Sequence, residues 1–267
     1  ISSCSFRDAC DLYGFLKYNP AITFRLPRLE KEKEDIKHLY SQDEIDTILN
    51  RFKNNETFTC AFLTSCYTGM RTGEVFALTW DDIDLENWTI SIKHNVYDKP
   101  KDEKERWFIG TTKTFAGKRV IHISETLLNA LKNYQRKQQL YQKLYGKKYN
   151  YYHIEDVMNE YGKAVERRIV INDNTKKYKE KINLVFTKEN GLYVGTDLTR
   201  YPFKIIHNEL GIEKCRFYDL RGSYATKILT NGIEIRDVAD ILGHRNVETT
   251  ENYYISSTEK SRRLATD

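Results

Sequence analysis

The sequence predicts a mainly α-helical domain carrying a small antiparallel β-sheet, an α+β arrangement. Three observations predict it. Capped amphipathic segments recur along most of the chain, and glycines punctuate them at Gly69, Gly211, Gly232 and Gly243. Residues of β type gather in only two places, Thr89 to Ile123 and Asn183 to Val194.

Each element has a local reason. Phe6 to Tyr18 reads as a short amphipathic helix stopping at Asn19-Pro20, and the proline-bearing, charged residues that follow suit a linker. The expected division is therefore residues 1–20, a linker over 21–38, and a main domain over 39–267. Ser41-Gln-Asp-Glu44 is a capping box opening a helix to about Phe52. Thr57 to Tyr67 is a largely apolar helix broken at Thr68-Gly69, a second helix starts near Thr72, and Trp80-Asp-Asp ends it. Strands are expected at Thr89 to His94, Trp107 to Thr111 and Lys118 to Ile123, the last two joined as a hairpin with Ala116-Gly117 in its turn. Ser124 caps a long helix reaching about Tyr141. The Tyr- and Lys-rich stretch beyond it has no clear pattern; Leu131 to Lys181 is expected as solvated helix and loop, with a phosphate-tracking or subunit-contacting element as the alternative. Asn190-Gly191 marks a hairpin between Asn183–Thr187 and Leu192–Val194, and everything from Asp197 onward reads as helical.

Composition excludes several classes. A chain of 267 residues with 40% hydrophobic and 13% aromatic residues can hold one large cored domain and a small appendage. No apolar run approaches the roughly 20 residues that cross a bilayer, and no signal-peptide pattern opens the chain, so a cytoplasmic protein without a membrane partner is expected. The chain begins with Ile1 rather than Met, which suggests a missing upstream part. Cys4, Cys10, Cys60, Cys66 and Cys215 form no CxxC pair and no His cluster at metal spacing, so free thiols and no metal are expected. Net charge is +5, but Leu131 to Lys181 holds 13 Lys and Arg against 6 Asp and Glu, leaving the remainder slightly acidic. Any nucleic-acid reading must therefore rest on motifs that place cations.

Four islands carry such chemistry: Gly69-Met-Arg71-Thr-Gly-Glu74 at a helix junction, Thr112-Lys113-Thr114 in a turn, Tyr218-Asp-Leu-Arg221 opening a helix, and Leu242-Gly-His244 followed after nine residues by Tyr253. In this order and spacing they resemble the tyrosine recombinase family of phage and transposon integrases, over roughly Leu39 to Ser257. The resemblance supplies Arg71, Lys113, Arg221, His244 and Tyr253 as catalytic residues. It implies a tyrosine recombinase catalytic-domain fold over 39–267, with residues 1–20 the end of a helical core-binding domain. It also implies double-stranded DNA attachment sites, a homotetramer on DNA, accessory DNA-bending or excision factors, a nucleoid-associated place in a bacterium, and no cofactor.

The chemistry explains the residue types. Transfer of a phosphodiester builds negative charge on the non-bridging oxygens, which two guanidiniums can grip bidentately. A tyrosine hydroxyl ionises near pH 10, so neighbouring cations must help it. The resulting phosphotyrosine conserves the bond for a second strand to attack. Lys113 would give the leaving oxygen its proton, and His244 would donate to the phosphate or relay the tyrosine proton.

Singly, these residues have plainer readings. Arg71 and Glu74 are spaced as a surface helix pair, and Gly243 is placed as a helix C-cap. Arg221 sits unfavourably at a helix N-terminus, which calls for an anionic partner. Tyr254 adjoins Tyr253, and the family spacing selects Tyr253. Tyr218 stands where the family usually has histidine; a phenol can donate to a phosphate but cannot be a cation at neutral pH. Two alternatives therefore accompany the recombinase reading: strand nicking and resealing like a type IB topoisomerase, and a DNA-binding module impaired in catalysis.

Overall fold

The computed structural model describes residues 6, 10–11, 14–19, 38–99, 106–111, 117–172, 180–248 and 250–251. The chain divides into two units, Ile1–Ile36 and Lys37–Asp267. In the first, Phe6, Cys10 and Asp11 are helical, whereas residues 14–19 are not. Gly14 takes φ +63°, the left-handed backbone that ends helices, so the expected helix does not run on to Tyr18. Most of the expected 21–38 linker, and Cys4, lie outside the described residues.

The second unit opens with α1 (Gln42–Arg51), whose capping box is formed: the Ser41 hydroxyl accepts from the Glu44 amide and the Glu44 carboxylate from the Ser41 amide. Helix α2 (Glu56–Thr68) is buried along most of its length and ends at Gly69 in the left-handed region, φ +62°. A Cβ there would stand 2.5 Å from the Tyr224 ring, so both the turn and the close packing require glycine. The short α3 (Thr72–Phe76) follows at once. It stops before Trp80–Asp82, which is a separate 3₁₀ turn.

Strands β1 (Ile83–Asp84), β2 (Thr89–Ile92) and β5 (Arg119–His122) make a three-stranded sheet. A second sheet runs β3 (His94–Asp98), β4 (Trp107–Thr111), β7 (Ala164–Ile171), β6 (Tyr152–Met158), β8 (Glu180–Ile182). The expected hairpin between β4 and β5 does not form. β5 lies opposite β2, with Arg119 across from Ile92, and β4 lies opposite β3, with Thr111 across from His94. Both are antiparallel to one nearly continuous ribbon, so they run the same way and cannot pair as a hairpin. The segment carrying Lys113 therefore connects two sheets; Ala116 and the expected turn chemistry lie outside the described residues.

Helix α4 (Glu125–Tyr145) is longer than expected. Gln138 on its inner face accepts from the Trp80 indole at 2.6 Å and donates to the Val185 carbonyl at 3.0 Å, fixing the helix to the chain beneath. Beyond it the structure departs from the expectation. The expected solvated helix and loop is the β6–β7–β8 part of the second sheet. Its charges pair across strands: Glu155 faces Arg168 and Asp156 faces Arg167 in register, with Arg168–Glu155 at 2.9 Å. Ion pairing of this kind hides the alternation that would have signalled strands. The Asn190-Gly191 hairpin closes with Gly191 at φ +83°, but it is minimal, a single Thr187–Tyr193 bridge.

The C-terminal part is helical as expected: α5 (Arg200–Asn208), α6 (Asp219–Thr230) and α7 (Ile235–Leu242). The main core gathers α1–α5 and both sheets, while Ala225, Leu229, Val238 and Leu242 form a smaller core joining α6 to α7. Cys10, Cys60, Cys66 and Cys215 are free thiols. No helix among the described residues is long and apolar enough to cross a membrane.

Candidate active site

The ends of three helices meet at one point. Gly69 closes α2, Gly243 closes α7 in the left-handed region (φ +68°), and Arg221 sits in the first turn of α6. Arg221 is 1% exposed, yet it lies where backbone carbonyls point inward. Its Nη1 donates to the Gly69 carbonyl and its Nη2 to the Leu242 carbonyl, both at 2.7 Å. These are the C-terminal, negative ends of α2 and α7. Their dipoles offset the unfavourable place that Arg221 occupies at the start of its own helix. Burial, then the neighbouring Arg71 charge, pushes its pKa down to about 10, which still leaves a cation at neutral pH. Its Nε is buried and has no partner among the described residues, leaving a donor for a ligand.

Arg71 is the extended residue that precedes α3. Its Nη2 donates to the Gly243 carbonyl at 2.9 Å, the residue next to the one that holds Arg221, and its Nη1 to Glu74 at 2.8 Å. The two guanidiniums therefore share one neighbourhood. The Arg71–Glu74 pair is not the surface pair its spacing allows, because Glu74 is 2% exposed. Gly73 makes this packing feasible: a Cβ on it would lie 2.7 Å from the Val96 carbonyl of β3.

His244 follows the α7 cap directly. Its Nδ1 lies 2.8 Å from the Thr250 hydroxyl, and Thr250 is fully buried. Burial first, then Arg221 and Arg71, pushes the imidazole down to about 4, so it is neutral at physiological pH. Tyr218, at the N-terminal end of α6, is 42% exposed, and its carbonyl accepts from the Arg221 amide at 3.1 Å. Lys113, Tyr253, Tyr254 and Ser256 to Asp267 lie outside the described residues. Arg71, Arg221 and His244 are thus brought together, with Tyr218 one turn before Arg221 at the start of α6.

Two further residues belong to the cluster and were not singled out from the sequence as site residues. Arg119, at the start of β5, is 7% exposed and donates through Nη2 to Glu74 at 2.9 Å and through Nε to the Ile241 carbonyl at 2.6 Å. Burial would raise the Glu74 carboxyl, but hydrogen bonds and charge from Arg119 and Arg71 overcome it and hold the group below its usual value. The only local signal was Glu74 itself, three residues from Arg71. Nothing near Arg119 in sequence points to its partner. No group of three or more His, Cys, Asp or Glu that could hold a metal ion occurs among the described residues.

A cluster of guanidiniums at converging helix ends, beside a neutral imidazole, suits a tetrahedral oxyanion. The family model described as the phage integrase family matches residues 38–260. The chain belongs to that family. This integrase-family chain is 26% identical over 262 residues to a protein named tyrosine recombinase XerC-like from Caldanaerobacter subterraneus subsp. tengcongensis, a match covering 95% of this chain and 60% of that one. It is 26% identical over 257 residues to tyrosine recombinase XerC of Pediococcus pentosaceus, covering 93% and 68%. The chain thus spans 60% of the first relative's length. Among solved structures, it resembles the Tn1549 transposon integrase bound to transposon right end DNA, with TM-score 0.61, 19% identity, and coverage of 98% of this chain and 75% of that one. It also resembles the XerA recombinase, with TM-score 0.53, 20% identity, and coverage of 85% and 65%. At these identities the likeness shows the fold, a tyrosine recombinase catalytic domain.

Proposed function

We propose that this chain carries the strand-cleaving chemistry of a site-specific DNA recombinase that integrates or excises a mobile element. One observation carries the reading: Arg71 and Arg221 reach the adjacent carbonyls of Gly243 and Leu242, so one phosphate can meet both. In this reading the Tyr253 oxygen attacks phosphorus and forms a 3′-phosphotyrosine as the bond to the 5′-oxygen breaks. Lys113 supplies the proton to that leaving oxygen, and the neutral His244 accepts the proton from Tyr253. Arg71 and Arg221 hold the non-bridging oxygens, and Tyr218 donates a hydrogen bond to one of them. A 5′-hydroxyl from a second strand then reverses the step. No cofactor is called for.

The substrate of this reading is double-stranded DNA bearing attachment sites, engaged by a homotetramer with accessory DNA-bending or excision factors, within the nucleoid of a bacterium. Residues 1–20 are the end of a core-binding domain, 21–38 a linker, and 39–267 the catalytic domain. Among the cations of Leu131 to Lys181, Arg167 and Arg168 are paired with Glu180 and Glu155 of the same sheet rather than held out for a phosphate. The absence of histidine at Tyr218 is what favours the second reading, a DNA-binding module with impaired catalysis.

Incubation of the intact protein with a nicked suicide substrate tests the proposal. A covalent protein–DNA adduct that disappears in Tyr253→Phe and persists in Tyr254→Phe is expected. Stable binding without any adduct would establish the impaired module. In a strand-exchange assay on two intact sites, resealing without exchange would point to topoisomerase-like chemistry.

A further inference from the structure

Three arginines from distant parts of the chain close the C-terminal end of α7, one on each of three successive carbonyls: Arg119 on Ile241 at 2.6 Å, Arg221 on Leu242 at 2.7 Å, and Arg71 on Gly243 at 2.9 Å. The reaction proposed above employs only the last two. Arg119 is not arranged to meet substrate. Its Nε serves Ile241, its Nη1 serves Gly117 at 3.1 Å and Glu74 at 3.3 Å, and its Nη2 serves Glu74 at 2.9 Å. Most of the five N–H donors of a guanidinium are thereby committed to protein.

We propose that Arg119 is a positioning residue for DNA cleavage, acting on the scissile phosphate through Glu74 and Arg71. The inference rests on the reading that Arg71 and Arg221 grip that phosphate. Glu74 links the two arginines. One carboxylate oxygen receives Arg71 Nη1 at 2.8 Å and the other receives the Arg71 amide at 2.9 Å, so Glu74 fixes both the guanidinium and the backbone of Arg71. A buried carboxylate that paired with Arg71 alone would cancel the charge that Arg71 must offer. Arg119 supplies the second cation, so the trio of Arg71, Glu74 and Arg119 keeps one net positive charge beside Arg221. Arg119 also carries this arrangement to α7, because the carbonyl it holds precedes the two that seat Arg221 and Arg71. Its bond to the Gly117 carbonyl fixes the far end of the segment that bears Lys113.

The test compares Arg119→Met and Arg119→Lys with the wild type in single-turnover cleavage of a nicked suicide substrate. One substrate has an ordinary scissile phosphate and the other a neutral methylphosphonate at that position; DNA affinity and the melting temperature are measured alongside. On the phosphodiester, Arg119→Met is expected to lose roughly 10- to 100-fold in cleavage rate, the scale on which a misplaced or cancelled charge slows an enzyme. DNA affinity should stay near the wild-type value, and Arg119→Lys should fall between. On the methylphosphonate, where there is less charge to neutralise, the gap between variant and wild type should largely close. A merely structural role would slow both substrates alike. Equal loss on the two substrates, or a wild-type rate for Arg119→Met on the phosphodiester, overturns the role of Arg119 and leaves the recombinase reading standing. Failure of the wild type to form an adduct on either substrate overturns both. Should Arg119→Met not fold, Arg119→Lys carries the same comparison.

Discussion

His244 and Thr250 are joined side chain to side chain, Nδ1 to Oγ1 at 2.8 Å, with Thr250 fully buried three residues before Tyr253. The contact fixes the imidazole ring and ties the segment leading to the proposed nucleophile back to the end of α7. Thr250→Val keeps shape and removes the hydroxyl. It is expected to cost about 1 kcal/mol in chemical unfolding, the ordinary worth of one hydrogen bond. Cleavage on a suicide substrate should fall while DNA affinity is retained.

The same imidazole gives the protein a defined acid sensitivity. Its pKa is pushed from 6.5 to about 4, by burial and then by Arg221. Between those values the unfolded chain binds a proton that the folded chain does not. The contribution of His244 to stability is therefore fully present above about pH 6.5, is lost as pH falls through that window, and levels off below about pH 4. Urea unfolding across this range should show a smaller pH slope for His244→Asn than for the wild type. Parallel slopes would mean that the ring titrates alike in both states.

Glu74 is buried between two guanidiniums, and its loss leaves both without their acid. Glu74→Ala is expected to destabilise the fold by about 3–5 kcal/mol, the usual cost of breaking a buried ion pair from one side. Glu74→Gln, which keeps an acceptor, should cost less. Chemical denaturation of the two variants gives the comparison, and equal losses would show that the charge is immaterial.

Arg71→Lys tests geometry against charge. A lysine keeps the cation and loses the planar fork that reaches Glu74 and Gly243 together. Most cleavage should vanish while DNA binding is largely kept. Equal loss of both would argue that Arg71 serves binding rather than chemistry.

What was legible in the sequence was whatever depends on neighbours along the chain. The Ser41–Glu44 capping box, the left-handed glycines Gly69 and Gly243, and the Asn190-Gly191 turn each act through a few residues. So do the motifs carrying Arg71, Arg221 and His244, which the fold gathers at one point. What escaped was long-range. Arg119 and Glu74 are 45 residues apart, and no local pattern joins them. Strands β6 and β7 read as solvated because their charged residues find partners only across the ladder, as Glu155 does with Arg168. The expected β4–β5 hairpin failed for a related reason: strand propensity says which residues are extended, not which ribbon they join.

The manner in which β4 and β5 share that ribbon has a practical consequence. Each draws its alignment from residues 89–98, so neither counts on the number of residues separating them. Spacers inserted within 112–116 should therefore be tolerated by folding, so the chain can be lengthened there without remaking the scaffold.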